Sequence, residues 1–325
     1  MSNAMECLLQ VYEERREIED YQRGVPRWCT GCGDNAILAA VQRLCRDEQL
    51  RPEKTVFVSG IGCSSRLPHY MRTYGFHGIH GRALPIAEGI RMARPDLHVF
   101  VNTGDGDCCS IGAAHWIHAL RYNMHMTVFL HDNQIYGLTK MQASPTSPKG
   151  LKSNTTPRGS YLEALQPLTV TLGVQNVSFV AQTVDWIPDV LYDIVSKAFH
   201  HKGFSFIRIV QRCPEWLPKH FEPFLHDPDR IVMLTHEDGV SLSPSLAKVY
   251  KRTIRHDPSD LNKAREVAST TDAIPVGILY RNPDVPCYED LRRGDEVATP
   301  AVIRQGLEAE LDRFTVWPRA AEARA

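Results

Sequence analysis

Two apolar runs, joined through a glycine turn and a helix-length segment, constrain this chain more tightly than any other stretch. Residues 97–103 (LHVFVNT) feed directly into Gly104-Asp105-Gly106, and residues 126–130 (MTVFL) end just before Asp132-Asn133. The pattern predicts strand, tight turn, helix, strand, with hard oxygen ligands at the carboxyl ends of both strands. In open α/β sheets that edge is where ligands bind. Glycines let the backbone approach a phosphate, and a following helix N-terminus favours negative charge. An Asp carboxylate and an Asn carbonyl, with water and two phosphate oxygens, complete an octahedral magnesium shell. The stretch therefore predicts a metal–diphosphate site. Gly-Asp-Gly alone is an ordinary turn signal. Its place between two buried strands, the second ending in Asp-Asn, is what carries the reading.

Composition narrows the function classes. A length of 325 residues suits one large domain with an extension, or two small domains. A formal net charge of −1 gives no electrostatic argument for nucleic acid or an anionic membrane surface. No apolar run approaches the roughly 20 residues that span a bilayer, and the first residues lack the order of a secretory signal. A cytoplasmic protein is expected. Its 9 cysteines are then not a disulfide framework, and their positions become the question. Ser2-Asn3-Ala4 ahead of a second Met reads as a cloning remnant and is set aside from the fold.

Three regions emerge in chain order. Residues 1–24 form a charged N-terminal arm. Residues 25–229 alternate strand and helix, which predicts an α/β fold with a mostly parallel, doubly wound sheet. Expected elements are a helix from Asp34 to about Gln49 with Ile37, Leu38, Val41 and Leu44 on one face, and strands near 55–58, 177–181 and 204–210. Asp34 is expected to cap that first helix. Residues 140–157, rich in Ser, Thr, Pro, Gly and Lys, predict a long loop of the kind that serves as a lid or binding segment. Residues 230–325 show one strand-like run (276–280) and a charged helical tail, and predict a C-terminal extension packed on the main domain or on a partner.

Four cysteines sit at turns. Cys29 and Cys32 form a C-x-x-C at a helix start, where thiolates are favoured; Cys63 follows one strand and Cys213 another. In a doubly wound sheet these turns can share one edge, giving a structural zinc site or an iron–sulfur cluster. The alternative is a Cys29/Cys32 redox pair with the other two as small buried hydrophobes. Cys45 reads as packing, Cys108 and Cys109 as lining of the diphosphate site, and Cys7 and Cys287 have no visible role. His77, His80 and Arg82 lie in a Gly-rich loop before a helix, a setting suited to an anionic cofactor and developing charge. A lone His is more often a satisfied structural residue, so the cluster carries this reading. Arg66 and Lys140 are candidates for a substrate carboxylate, and equally for solvated surface cations. Asp107 reads as a helix cap, Tyr136 as packing and Glu88 as structural.

Taken together, WCTGCG, GIGCSS, HGRALPIAEGI, GDGD, DNQIYGLT and QASPT resemble, in order and spacing over roughly residues 27–215, the β subunit of the 2-oxoacid:ferredoxin oxidoreductases. The resemblance implies a thiamine diphosphate-binding fold, with Mg2+ held by Asp105, Asn133 and the backbone carbonyl of Ile135. It implies that Cys29, Cys32, Cys63 and Cys213 hold one 4Fe–4S cluster. Gly104, Gly106, Asp107, Gly137 and Leu138, with Cys63, His80 and Arg82, would face the cofactor. His80 would act in catalysis, and Arg66 and Lys140 would bind the carboxylates of the 2-oxoacid. Two departures stand out: Thr30 where the family often has Pro, and Met141, beside Lys140, where it often has Gly.

The implied reaction converts a 2-oxoacid, coenzyme A and oxidised ferredoxin to acyl-CoA, carbon dioxide and reduced ferredoxin, reversibly. Making the reactive carbon of thiamine usually needs a carboxylate against the pyrimidine ring, and no acid here has that context. The resemblance implies an α subunit that supplies the pyrimidine-side domain and its Glu, in an αβ or (αβ)2 assembly. Two cations near the pocket suit a dicarboxylate, so 2-oxoglutarate, giving succinyl-CoA, is the expected substrate; pyruvate or a broad range of 2-oxoacids is the alternative. A different class, a non-catalytic iron–sulfur electron-transfer subunit, is disfavoured by the intact Asp105 and Asn133 turns.

Overall fold

In the computed structural model of the chain, residues 15–293 and 299–315 are described. Cys7 and the first four residues lie outside them. Nine strands are β1 (Thr55–Ser59), β2 (Tyr74–His77), β3 (His98–Gly104), β4 (Met126–Asp132), β5 (Phe179–Val184), β6 (Phe204–Val210), β7 (Ile231–Thr235), β8 (Thr253–Arg255) and β9 (Ile274–Arg281). They form one sheet in the order β2-β1-β3-β4-β6-β5-β9-β7-β8. Every pairing is parallel except that of β5 with β9.

The central strands are buried on both faces, so they read as continuous apolar runs. β4 has no exposed residue along its length. Helices α1 (Asp34–Asp47), α2 (Ala83–Ala93), α3 (Ala113–Tyr122), α4 (Pro167–Leu172) and α5 (Pro188–His200) cover the two faces. α1 and α5 pack against Phe57, Phe100, Phe129 and Ile207. α2, α3 and α4 pack against the alternate residues Val58, Val101, Val128 and Leu130. Strand periodicity of two assigns each residue to its layer. Register does the rest: Phe57 pairs with Phe100, and their rings stack at 4.8 Å. Each such fully buried Phe contributes roughly 1.5–3 kcal/mol of apolar burial.

Chain order reverses at the sheet's β1/β3 junction, because β1 runs outward to β2 and the chain then returns to β3 on the other side. Crossovers leave this junction in opposite directions, which opens a crevice at the carboxyl ends of the strands. Gly104-Asp105-Gly106 leaves β3 there, the segment bearing Cys63 leaves β1 beside it, and Asn133 leaves β4.

Three expectations are corrected. Among the described residues, 230–325 contain three strands, not one, and β9 joins the sheet antiparallel to β5 with a register shift at Val180/Ala181. The extension thus completes the sheet, and Ile231, Met233, Val276 and Ile278 enter the same core as α1 and α5. β8 was invisible because it is an exposed edge of three residues with no apolar pattern. Asp34 does not cap α1: Gly33 holds that position, and the Asp34 side chain turns inward. Asp107 caps no helix either, as its carboxylate reaches back to three other segments described below.

Candidate active site

The crevice is a recess of about 540 Å3, counted to its open mouth. Gly104, Asp105, Gly106, Asp107, Asn133, Ile135, Gly137, Leu138, His80 and Cys63 line it. Arg66, Arg82, Lys140 and the remaining three turn cysteines do not. Lys140 is exposed one position beyond the lining residue Thr139, with a positive φ of 70°. Arg66 is half-buried, three positions after Cys63, and donates weakly to the Arg27 carbonyl at 3.4 Å. Arg82 stands at the N-terminus of α2, and His77 binds the Ser65 carbonyl through Nδ1 at 2.8 Å, away from the recess.

Asp105 is the centre of the site's electrostatics. It is 2% exposed, and its Oδ2 accepts from Thr146 Oγ1 at 2.6 Å. The same hydroxyl lies 3.0 Å from Asp132 Oδ1, so one proton serves two carboxylates. Asp132 has its own cation, because Arg208 Nε and Nη2 both lie 2.6 Å from its Oδ2. Asp105 has none among the described residues. Burial, and then the charge of Asp132, push its carboxyl up to about 7, against hydrogen bonds from Ser144 and Thr146. A buried acid held beside another carboxylate is stabilised by a divalent cation. The donor set fits magnesium, a hard ion that takes a carboxylate and carbonyl oxygens at the mouth of a phosphate site.

The turn after β4 presents the other oxygens. Asn133 Oδ1 accepts from the Ile135 amide at 3.1 Å, closing a turn in which Gln134 has a φ of 62°. Opposite it, Gly106 permits a close approach: a Cβ there would lie 2.0 Å from the Tyr136 ring. Tyr136 packs, as expected, and its hydroxyl donates to the Gly106 carbonyl at 3.0 Å. Asp107 knots the floor by accepting from the Gly81 and Ile61 amides at 2.7 and 3.2 Å and from Thr103 Oγ1 at 2.7 Å. His80 Nδ1 approaches the same carboxylate to 2.6 Å, without the alignment of a hydrogen bond. His80 is therefore seated at the wall of the recess by Asp107.

The four turn cysteines are all free and gather on this edge. A Cβ on Gly137 would lie 3.7 Å from both Cys63 Sγ and Cys213 Sγ, so one peptide separates the recess from two sulfurs. Burial, then Asp34, push the Cys63 thiol up to about 12, and the charges of Cys213 and Cys29 add to this. Burial also raises Cys32 and Cys213. Thiols held this way become thiolates only when a metal takes the proton's place. Among the described residues no three His, Cys, Asp or Glu side chains are already drawn together around a single ion. Four thiols on one edge, two of them against Gly137, form a donor set of the kind that holds an iron–sulfur cluster.

Several residues of this site went unread in the sequence. Thr146 lies in the 140–157 loop, whose Ser144, Thr146 and Ser147 are buried behind Asp105. His131 lines the recess, and its Nδ1 meets Asp34 Oδ1 at 2.7 Å. Arg208 and Gln211 come from β6 and the residue after it. The one sequence signal for Thr146 is its position in QASPT.

Residues 60–209 match the family model of thiamine pyrophosphate enzymes, C-terminal TPP binding domain, and residues 246–294 match that of the C-terminal part of the pyruvate ferredoxin oxidoreductase beta subunit. The 2-oxoglutarate oxidoreductase subunit KorB of Mycobacterium tuberculosis is 44% identical over 87% of this chain and 82% of that protein. The 2-oxoacid:ferredoxin oxidoreductase 1 subunit beta of Aeropyrum pernix is 39% identical over 81% and 80%. Among solved structures, the 2-oxoglutarate:ferredoxin oxidoreductase of Magnetococcus marinus, with 2-oxoglutarate, coenzyme A and succinyl-CoA bound, superposes with a TM-score of 0.76 at 34% identity, covering 91% of this chain and 97% of its own. Fold and site thus define a thiamine pyrophosphate-type α/β domain. Within that class, the chain belongs to the β subunits of the 2-oxoacid:ferredoxin oxidoreductases.

Proposed function

We propose that this chain is the thiamine diphosphate- and cluster-bearing β subunit of a 2-oxoglutarate:ferredoxin oxidoreductase, EC 1.2.7.3 in type. With an α subunit it would convert 2-oxoglutarate and coenzyme A to succinyl-CoA and carbon dioxide, or run the reverse carboxylation, passing electrons to ferredoxin. The observation that carries the reading is Asp105: a buried carboxylate with no cation of its own among the described residues, at the strand-order reversal, on the edge where four free thiols gather.

When bound, thiamine diphosphate supplies the nucleophilic carbon and electron sink for decarboxylation, and a 4Fe–4S cluster accepts electrons singly. The chain's own part is positioning. Asp105, Asn133 and the Ile135 carbonyl would hold Mg2+, and Cys29, Cys32, Cys63 and Cys213 the cluster. Arg208 neutralises Asp132, so only Asp105 is left to meet a cation. Tyr136 and Leu138 exclude water from the recess wall. His80, fixed against Asp107, offers a ring nitrogen to charge developing on substrate. Arg66 and Lys140 lie just outside the lining, where they can meet a carboxylate reaching out of the recess. The acids that line it, Asp105 and Asp107, are both engaged. Glu88 is turned away to His118 at 3.0 Å. The pyrimidine-side acid therefore comes from the α subunit, in an (αβ)2 or αβ complex.

The test is metal, iron and thiamine diphosphate analysis of material co-purified with its α subunit, with ferredoxin reduction driven by each 2-oxoacid. Faster turnover on pyruvate than on 2-oxoglutarate would overturn the substrate. Lys140→Ala should raise KM for 2-oxoglutarate far more than for pyruvate; equal effects remove its role at the distal carboxylate. Iron and cluster spectra retained in single Cys→Ala variants of all four positions would return the chain to a cluster-free reading.

A further inference from the structure

Gln211 has no role in the reading above, yet it touches three parts of the site. It follows β6 and precedes Cys213 by two positions. Its backbone amide donates to the Asp132 carbonyl at 3.0 Å, at the root of the Asn133 turn. Its side chain is 1% exposed and lines the recess. The amide nitrogen Nε2 donates to the Arg212 carbonyl at 2.7 Å and to Cys32 Sγ at 3.2 Å. A carbonyl oxygen only accepts, so the atom facing Arg212 must be the nitrogen, and chemistry fixes the amide's orientation. The other end, Oε1, is buried without a partner.

The surroundings are built to hold this arrangement. Asp185 grips Arg212 at the backbone nitrogen and at Nε, at 3.0 and 2.9 Å. The Gly33 amide donates to the Arg212 carbonyl at 3.1 Å. A Cβ on Gly33 would lie 2.7 Å from Gln211 Cγ, so glycine lets the C-x-x-C turn close onto this side chain. On its far side, Cys32 Sγ lies 3.5 Å from the Asp34 carboxylate. Once Cys32 is a thiolate it has no hydrogen to give the Asp34 carboxylate, and the Gln211 side-chain N–H joins the Asp34 backbone amide as a donor to it.

We propose that Gln211 is a positioning residue that raises the reduction potential of the cluster by donating to the sulfur of Cys32. It rests on the cluster assignment of the proposed function. An N–H aimed at a ligating sulfur draws off negative charge and favours the reduced, more negative cluster. No bond is made or broken, and the cluster takes one electron in either case.

The experiment is an EPR-monitored redox titration of the αβ complex. It compares the wild type with Gln211→Met, which lacks both donor and acceptor, and Gln211→Glu, which keeps the shape and loses the donor. Both variants should show a midpoint shifted to more negative potential. If Gln211→Met fails to assemble, the shift in Gln211→Glu decides the donor. Midpoints equal to wild type would overturn the inference while leaving the cluster in place. So would variants that melt like wild type but hold no iron, since Gln211 would then be a clamp only. A wild-type complex with no reduced-cluster signal would remove the cluster reading itself, and this inference with it.

Discussion

At the scale of single residues, Asp105 and Thr146 set the behaviour of the site. The Asp105 carboxyl stands near 7 in the fold against an ordinary 3.8, mainly through burial and secondly through Asp132. A raised acid means that the folded chain keeps a proton which the unfolded chain releases, so this group's contribution to stability falls as pH rises from about 4 through about 7. Metal-free protein should therefore melt at higher temperature at pH 5 than at pH 8, and thiamine diphosphate with Mg2+ should recover most of the difference at pH 8. In Asp105→Asn that portion of the pH dependence should vanish; an unchanged melting profile would contradict the assignment. Thr146→Val removes the one hydroxyl that two carboxylates share. It should weaken thiamine diphosphate–Mg2+ binding about tenfold, close to 1.4 kcal/mol, as read by calorimetry. Binding equal to wild type would reduce the Thr146 contact to packing. Asp105 was legible in the sequence because Gly-Asp-Gly ends an apolar run. Thr146 was not, because nothing local in a Ser/Thr/Pro-rich loop marks which hydroxyl turns inward.

Among elements, the β3–turn–α3–β4 unit was readable because its signals are local: two runs buried on both faces, turn residues between them, and a helical period. The short irregular turn Asp107–Ile111 between Gly106 and α3 was not foreseen. It lets Asp107 face back toward Gly81 and Ile61 instead of capping α3. Gly106 is the narrowest point of this unit. Gly106→Ala should lower the melting temperature by several degrees and abolish cofactor loading, since overpacking of this kind costs roughly 1–3 kcal/mol. Adding Tyr136→Leu should restore most of the melting temperature, because the clash is with that ring. A double variant no more stable than the single one would place the strain elsewhere. The helix Pro300–Phe314 is the opposite case. It buries no residue, and Ile303, Leu307, Leu311 and Phe314 are all exposed. Replacing Ile303, Leu307 and Leu311 together by Ser should move the melting temperature of the isolated chain by less than about 1 °C.

At the scale of the whole molecule, the two carboxylates that line the recess, Asp105 and Asp107, both accept hydrogen bonds from within the chain, and the proposed function takes its pyrimidine-side acid from an α subunit. The chain alone should show no 2-oxoacid-dependent ferredoxin reduction at any cofactor concentration, and mixing it with its α subunit should create that activity. Turnover by the isolated chain would refute the claim that the pyrimidine-side acid comes from a partner. The sequence by itself determined what depends on near neighbours: the buried strands through β6, though not the exposed edge strand β2, the turns that present Asp105 and Asn133, and the C-x-x-C at the start of α1. Tertiary structure alone decided how charge is matched. Arg208 reaches Asp132 across 76 positions, Asp34 reaches His131 across 97, and Thr146 reaches Asp105 across 41. Those pairings follow from strand order and burial, which put β6 beside β4 and the Ser/Thr loop behind β3. Side-chain periodicity records which face a residue takes; it holds no record of which distant element will meet it there.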